Sequence, residues 1–330
     1  MNNDHLAQRK SEILLETGTN EMEIIEFYLS GQSFGINVQK LKEIIPFDAA
    51  AVTAVPDRGP SMLGTLLLRG TTIPLVDLKK HMGQKIKQRT EDIREVVLVC
   101  EFNGRINGFK VDGVNMIHRV SWENVQPMAK FIDQHHPRFT GSINIDSREI
   151  LIVDLEHIVS EFDPESALDY DSELFTDESR AACPATRQGM KLMMAEDSSL
   201  IRNGIIKVLT SSNYTNLQAF VDGEDCYRAI MQLKKQVTAE GGSILDHLNL
   251  LITDIEMPRL DGLTLCRRIK EDPLLKDVKV VLFSSLINEQ MAHKCDDVGA
   301  DGYATKPQIP YLVQMMDEFL GIVGVRKADA

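Results

Sequence analysis

Glu196, Asp197, Asp254, Ser284, Ser285 and Lys306 are scattered through the last 140 or so residues of the chain, yet they are alike in place. Each follows a short run of strand length: 191–195, 248–253, 278–283 and the residues before Lys306. Continuous apolar runs of this kind suit parallel strands covered on both faces. In such sheets ligands bind beyond the carboxyl ends of the strands. Three acids, a hydroxyl and one lysine therefore converge on a single edge. Carboxylates this close cannot all stay ionised without a counter-charge. A hard divalent cation supplies it, and Mg²⁺ suits ligation by carboxylate and water. Asp254 can then act as a nucleophile towards a phosphoryl group, forming an acyl phosphate. The cation and Lys306 would spread the charge on the phosphoryl oxygens, and the Ser284 hydroxyl would donate to one of them.

The elements that must hold these residues alternate strictly. Helical patterns at 198–209, 223–235, 262–270, 289–298 and 311–320 separate the strands, which predicts a doubly wound α/β domain. Residues 236–249, with Gly241 and Gly242 inside, make its second crossover long. The chain before Asp163 has another rhythm. Strand-like runs at 24–29 and 33–38 flank Gly31, and runs at 95–102 and 106–111 flank Asn103-Gly104, both in the manner of hairpins. Further strands are expected at 72–76, 140–145 and 150–153, with helical patches at 6–16, 38–45 and 77–82. Closely spaced short strands with little helix predict a β-barrel or sandwich. Between the halves, residues 163–189 are acidic, rich in Ser and Thr and without periodicity, the pattern of an exposed linker. The organisation expected is a segment 1–21, a β domain 22–162, a linker 163–189 and an α/β domain 190–325.

Bulk properties exclude several classes. The net charge of −13 divides as −4, −5 and −4 over 1–162, 163–189 and 190–330, so no segment can neutralise a row of phosphates and nucleic-acid binding is not expected. No apolar run approaches the roughly 18–20 residues that span a bilayer, and the first residues lack a signal-peptide pattern. Five cysteines lie far apart with no Cys-x-x-Cys spacing, as expected of reduced thiols in a cytoplasmic protein.

The run Asp254-Ile255-Glu256-Met257-Pro258-Arg259-Leu260-Asp261-Gly262 resembles the receiver domain of bacterial response regulators. Glu196-Asp197, Ser284-Ser285 and Lys306-Pro307 follow that family's order, and the likeness covers 190 to about 322. It implies a flavodoxin-like fold with Asp254 as phosphoacceptor and Glu196 and Asp197 in its acidic pocket. The Glu256 backbone carbonyl would be a ligand of Mg²⁺, Ser284 the switch hydroxyl, Lys306 the phosphate partner and Tyr303 the aromatic that reorients on activation. Ser284 stands where the family often has threonine.

The β-rich half resembles the CheW-like coupling domain of bacterial chemotaxis, two five-stranded barrels packed side by side. Phe34-Gly35-Ile36-Asn37-Val38, Leu41-Lys42-Glu43-Ile44, Gly64-Thr65-Leu66-Leu67-Leu68-Arg69-Gly70 and residues 72–78 carry the likeness, which covers 22 to about 162. The family commonly has asparagine where Leu67 stands. The resemblance implies partner contacts near Leu41, Glu43 and Arg69, facing chemoreceptor tips and the chemotaxis histidine kinase. A CheW-like domain followed by a receiver resembles the CheV-type coupling proteins. That implies a non-enzymatic adaptor at membrane receptor arrays, without membrane insertion, tuned by phosphorylation of Asp254 as adaptation or as a phosphate sink. Haloacid dehalogenase phosphatases also use an Asp nucleophile with Mg²⁺, but they want a second Asp where this chain has Glu256. A stand-alone response regulator with another protein partner is the other alternative. A transcriptional one is disfavoured, because the chain ends within about ten residues of the last receiver helix.

Overall fold

A computed structural model of the chain describes residues 20–56, 59–83, 94–102, 104–128, 138–162, 184–306 and 308–322. The helical patch read at 6–16 and most of the linker lie outside them. The chain divides into two compact units. Met22–Val120 and Asn124–Phe162 form one, and the described residues after Asp163, with Ser121–Glu123, belong to the other.

In the first unit the strands are β1 (Glu21–Leu29), β2 (Gln32–Asn37), β3 (Leu41–Pro46), β4 (Val52–Thr53), β5 (Met62–Leu68), β6 (Thr71–Asp77), β7 (Val96–Phe102), β8 (Arg105–Val111), β9 (Gly113–Ser121), β10 (Phe139–Ile145) and β11 (Arg148–Val153). Two short helices, α1 (Leu78–His81) and α2 (Leu155–Phe162), follow β6 and β11. The strands form a five-stranded sheet, β10-β11-β2-β1-β9, and a second sheet, β3-β7-β8-β6-β5-β4, whose sixth strand is the two-residue β4. Three hairpins are set by their turns. Ser30 and Gly31 (φ 52° and 80°) join β1 to β2, Arg69 and Gly70 (φ 48° and 89°) join β5 to β6, and Asp146 and Ser147 (φ 49° and 61°) join β10 to β11. Two successive positive φ values match the right-handed twist of the strands they join.

The helical patch expected at 38–45 is instead a single 3-10 turn, Val38–Lys40, followed by β3. Leu41 and Ile45 face inward while Lys42 and Ile44 face out, and β3 pairs with β7 from Leu41↔Cys100 to Pro46↔Val96. A free strand edge on β7 and a β-branched Ile-Ile pair outweigh the local helical spacing. Phe27, Leu29 and Phe34 of one sheet pack with Val76, Leu98 and Phe109 of the other in one core.

The second unit opens with α3 (Pro184–Gly189), inside the stretch read as linker, and then alternates. It runs β12 (Leu192–Ala195), α4 (Ser199–Ser211), β13 (Leu217–Phe220), α5 (Gly223–Glu240), β14 (Leu250–Thr253) and α6 (Gly262–Glu271), and continues with β15 (Lys279–Ser284), α7 (Glu289–Asp297), β16 (Gly302–Thr305) and α8 (Ile309–Phe319). The five strands are parallel in the order β13-β12-β14-β15-β16. Successive residues of each strand supply opposite cores. Met193, Leu251 and Val280 pack with α5, α6 and α7, whereas Met194, Ile252 and Val281 pack with α4 and α8. That is why these strands read as unbroken apolar runs. Helix α5 runs five residues beyond Lys235 and stops at Gly241 (φ 80°), and a capped 3-10 turn at Ile244–Asp246 leads back to β14. No helix among the described residues is long and apolar enough to cross a membrane.

Each unit also buries charge. Arg187 of α3 meets Asp317 of α8 through two bonds, Nε to Oδ1 at 2.9 Å and Nη2 to Oδ2 at 2.5 Å, and the Tyr214 hydroxyl donates to the same carboxylate at 2.7 Å. All three are buried, so α3 is anchored to the α/β unit by a bidentate pair. In the first unit Glu26 of β1 is fully buried. It accepts from Ser33 Oγ (2.6 Å), Asn115 Nδ2 (2.9 Å) and Arg148 Nη1 (3.0 Å), with His118 Nε2 at 2.8 Å. Burial alone would raise its pKa, but these donors and the Arg148 charge outweigh it and lower the carboxyl from 4.5 to about 2. A displacement of that size corresponds to about 3 kcal/mol. Because the folded pKa is the lower one, the contribution is present above the unfolded value and is lost as pH falls from 4.5 through about 2. Glu26→Gln should therefore be less stable than wild type at pH 7 by an amount of this order, and the difference should shrink in urea denaturation from pH 4.5 downwards and close near pH 2. A constant difference across that range would refute the account.

Candidate functional site

The order β13-β12-β14 reverses the direction in which strands are added to the sheet beside β12, so the loops after β12 and β14 flank the crevice where open α/β sheets bind ligands. Glu196 and Asp197 leave the end of β12, and Asp254 leaves the end of β14. Backbone bonds carry the sheet register into the site: Asp254 N donates to Ala195 O at 2.9 Å and Glu196 N to Phe220 O at 3.1 Å. From the end of β16, Lys306 Nζ reaches Asp254 Oδ2 and Glu196 Oε2, both at 2.8 Å. All three side chains are buried.

One carboxylate oxygen from each of Glu196, Asp197 and Asp254 lies within 4.8 Å of the others. Three carboxylates and one ammonium leave a local charge of −2 when ionised. An all-oxygen donor set with that residual charge fits a small hard divalent cation such as Mg²⁺. Asp254 is held on both sides, since Ile255 N donates to Oδ1 at 2.6 Å while Lys306 takes Oδ2. A Cβ on Gly262 would lie 1.9 Å from the Asp254 carbonyl oxygen, so the start of α6 rests directly on the Asp254 backbone.

The structure brings Glu196, Asp197, Asp254 and Lys306 together, and sets Ser284 beside them. Ser284 ends β15, is buried, and accepts from Lys306 N through its carbonyl at 3.2 Å and from Leu286 N through Oγ at 3.4 Å. Glu256 lies half-buried in the loop after Asp254, and Tyr303 of β16 is half-buried against the core shared with α5, α6 and α7. In the β-rich unit, Arg69 Nη2 donates to Glu43 Oε2 at 2.8 Å, with the arginine 80% exposed, while Leu41 packs against the core. Glu43 and Arg69 thus form one surface feature that Leu41 does not share.

Sequence reasoning missed Arg202. Its Nη1 donates to the carbonyls of Glu196 (2.7 Å) and Asp197 (3.0 Å), fixing the turn that aims both acids. The signal was available, because a cation in the first turn of a helix opposes the helix dipole and needs another reason to be there.

Comparison with known proteins agrees with both halves. Residues 23–163 match the CheW-like domain family and residues 192–317 match the response regulator receiver domain family. "Chemotaxis protein CheV3" of Helicobacter pylori is 28% identical over 302 residues, covering 87% of this chain and 91% of that protein. "Chemotaxis protein CheV2" of the same organism is 23% identical, covering 91% of this chain and 95% of that protein. The β-rich half is 32% identical to "Probable chemotaxis protein CheW" of Rhizobium etli, over 44% of this chain and 93% of that protein. The chain belongs to the CheV-type chemotaxis coupling proteins. It is a chemotaxis adaptor in which a CheW-like domain is joined to a receiver domain.

In this CheV-type chain the contact of Gly262 with Asp254 sets a strict steric test. Gly262→Ala must displace backbone, which places it among severe substitutions costing more than about 2 kcal/mol. Gly189→Ala is the control: its φ is not positive and nothing lies within 4 Å of the added Cβ, so it should change stability by less than about 1 kcal/mol. Urea denaturation measures both, and equal losses would show that close approach is not what requires glycine at 262.

Proposed function

We propose that this adaptor couples chemoreceptor tips to the chemotaxis histidine kinase in the cytoplasm, at receptor arrays, and takes a phosphoryl group from that kinase on Asp254. The observation that carries the reading is the buried lysine bridging Asp254 and Glu196 at the switch point of the sheet. An Asp254 carboxylate oxygen attacks the phosphorus of the donor, a new P–O bond forms, and the electron pair of the broken bond leaves with the donor. Lys306, already within 2.8 Å of Oδ2, meets the negative charge of the transferred group. The Ser284 hydroxyl donates to a phosphoryl oxygen once it is released from Leu286 N. Glu196, Asp197, Asp254 and the Glu256 carbonyl would hold Mg²⁺, which supplies charge neutralisation for the oxygens in transfer. Tyr303 would follow Ser284 as the aromatic switch. In the CheW-like domain, the exposed Arg69–Glu43 pair would form part of the partner surface, with Leu41 supporting it from the core side.

With Mg²⁺ and a small acyl-phosphate donor, the full chain should gain one hydroxylamine-labile phosphoryl group. Asp254→Asn should take up none, because an amide is a poor nucleophile and a poor metal ligand. Undiminished labelling of Asp254→Asn would overturn the assignment. For the coupling surface, Arg69→Glu is a clean probe, since any non-glycine residue bears the same left-handed strain at φ 48°. It should weaken capture by receptor–kinase complexes about 5- to 10-fold, as reversal of a contact charge does. Unchanged capture by the folded variant would remove Arg69 from the surface.

A further inference from the structure

Arg259 does not touch the acids, yet it occupies a position that ordinary packing does not explain. It lies in the loop from Asp254 to Gly262 with φ 67°, a left-handed conformation that disfavours any side chain. Its Nη2 donates to the Oδ2 atoms of Asp222 and Asp225, the latter at 2.7 Å, while its buried Nε finds no partner among the described residues. Asp222 is fully buried and already caps α5, with Oδ1 accepting from Asp225 N at 2.8 Å. Beside it, a Cβ on Gly223 would stand 2.2 Å from the Leu260 carbonyl oxygen, so the backbone of Leu260 also rests on the start of α5. Two consecutive loop residues are thus seated on one helix terminus, one by charge and one by close approach.

The other end of the loop leads to the nucleophile. Gly262 N donates to Ile255 O at 3.0 Å, and Ile255 N donates to Asp254 Oδ1 at 2.6 Å. The line of contact runs from α5 through Arg259 and Leu260 to Gly262, Ile255 and the carboxylate. Were the loop free, Ile255 N would leave Oδ1, and the carboxylate could rotate away from the Lys306 contact at Oδ2. Glu256 rides on the same loop, between Ile255 and the clamped pair.

We propose that Arg259 is a positioning residue for the phosphoacceptor site. Its ion pairs with Asp222 and Asp225 hold the 255–262 loop against α5, so that Asp254 and the Glu256 carbonyl are pre-oriented for a divalent cation and for phosphoryl transfer. This rests on the reading of Asp254 given above. The side chain offsets the strain of its own backbone, an arrangement expected where geometry at a site matters more than local stability.

Arg259→Gly separates the two effects, because glycine suits φ 67° better than arginine while removing the clamp. Asp222→Asn breaks the same pair from the other side, since the amide oxygen can still cap α5. In the full chain, both variants should bind Mg²⁺ about 10-fold more weakly, as loss of a supporting contact around a metal site does. The binding is read by amide shifts in a titration without phosphodonor. Both should also label more slowly at saturating Mg²⁺, with the urea unfolding midpoint held. Wild-type Mg²⁺ affinity and labelling in both variants would overturn the proposal, as would losses that only track a lowered midpoint. If wild type itself took no label, the Asp254 reading would fall, and the Mg²⁺ titration would still decide the clamp.

Discussion

The receiver half depends on one buried cation. Lys306 Nζ stands 2.8 Å from both Asp254 and Glu196, inside a sheet edge that excludes water from all three side chains. Burying two carboxylates costs several kcal/mol each unless a counter-charge is close and well placed. A single ammonium cannot balance three acids, so the arrangement keeps a residual charge of −2 if all three are ionised. Charge gathered in this way at the ligand-binding edge of a parallel sheet marks a candidate functional site.

Everything around that ammonium restricts how the acids can move. The parallel sheet brings the ends of β12, β14, β15 and β16 to one edge, and its alternating cores lock the strands from both faces. Arg202 holds the carbonyls after β12, Gly262 lets α6 rest on Asp254, and Ile255 N fixes one carboxylate oxygen. Each contact is local. Together they leave the Asp254 carboxylate few orientations, which is what rapid transfer without reorganisation requires.

What the sequence disclosed follows from the range of the forces involved. Strand ends, helix starts and turns are written within a few residues, so Asp254, Lys306 and the Gly31 hairpin were legible. Residues 38–45 were misread because the decisive partner, β7, lies more than 50 residues on, and local helical spacing cannot weigh a distant strand edge. Arg187, Arg202 and Arg259 were passed over for a related reason. An arginine in isolation looks solvated, and only the folded chain brings Asp317, the carbonyls of Glu196 and Asp197, or Asp222 against it. Glu26 is the same case in the CheW-like half, since four donors from three other strands are needed to make a buried carboxylate favourable.

The shared ammonium also constrains any signal the receiver sends. A phosphoryl group on Asp254 would add about −1.5 to −2 of charge, and Lys306 would have to divide itself between that group and Glu196. Its backbone N–H is bonded to the Ser284 carbonyl, tying the ends of β15 and β16. A displacement that reaches the Lys306 backbone is therefore felt by the strand that carries Tyr303 and leads into α8, the helix that binds Arg187 of α3. Through Lys306, Asp254 is thereby linked to α8 and, beyond it, to α3, the elements at the two ends of the receiver unit. For a partner to read the phosphorylation state, it must bind one arrangement of those elements better than the other, since equal affinity for both would transmit nothing.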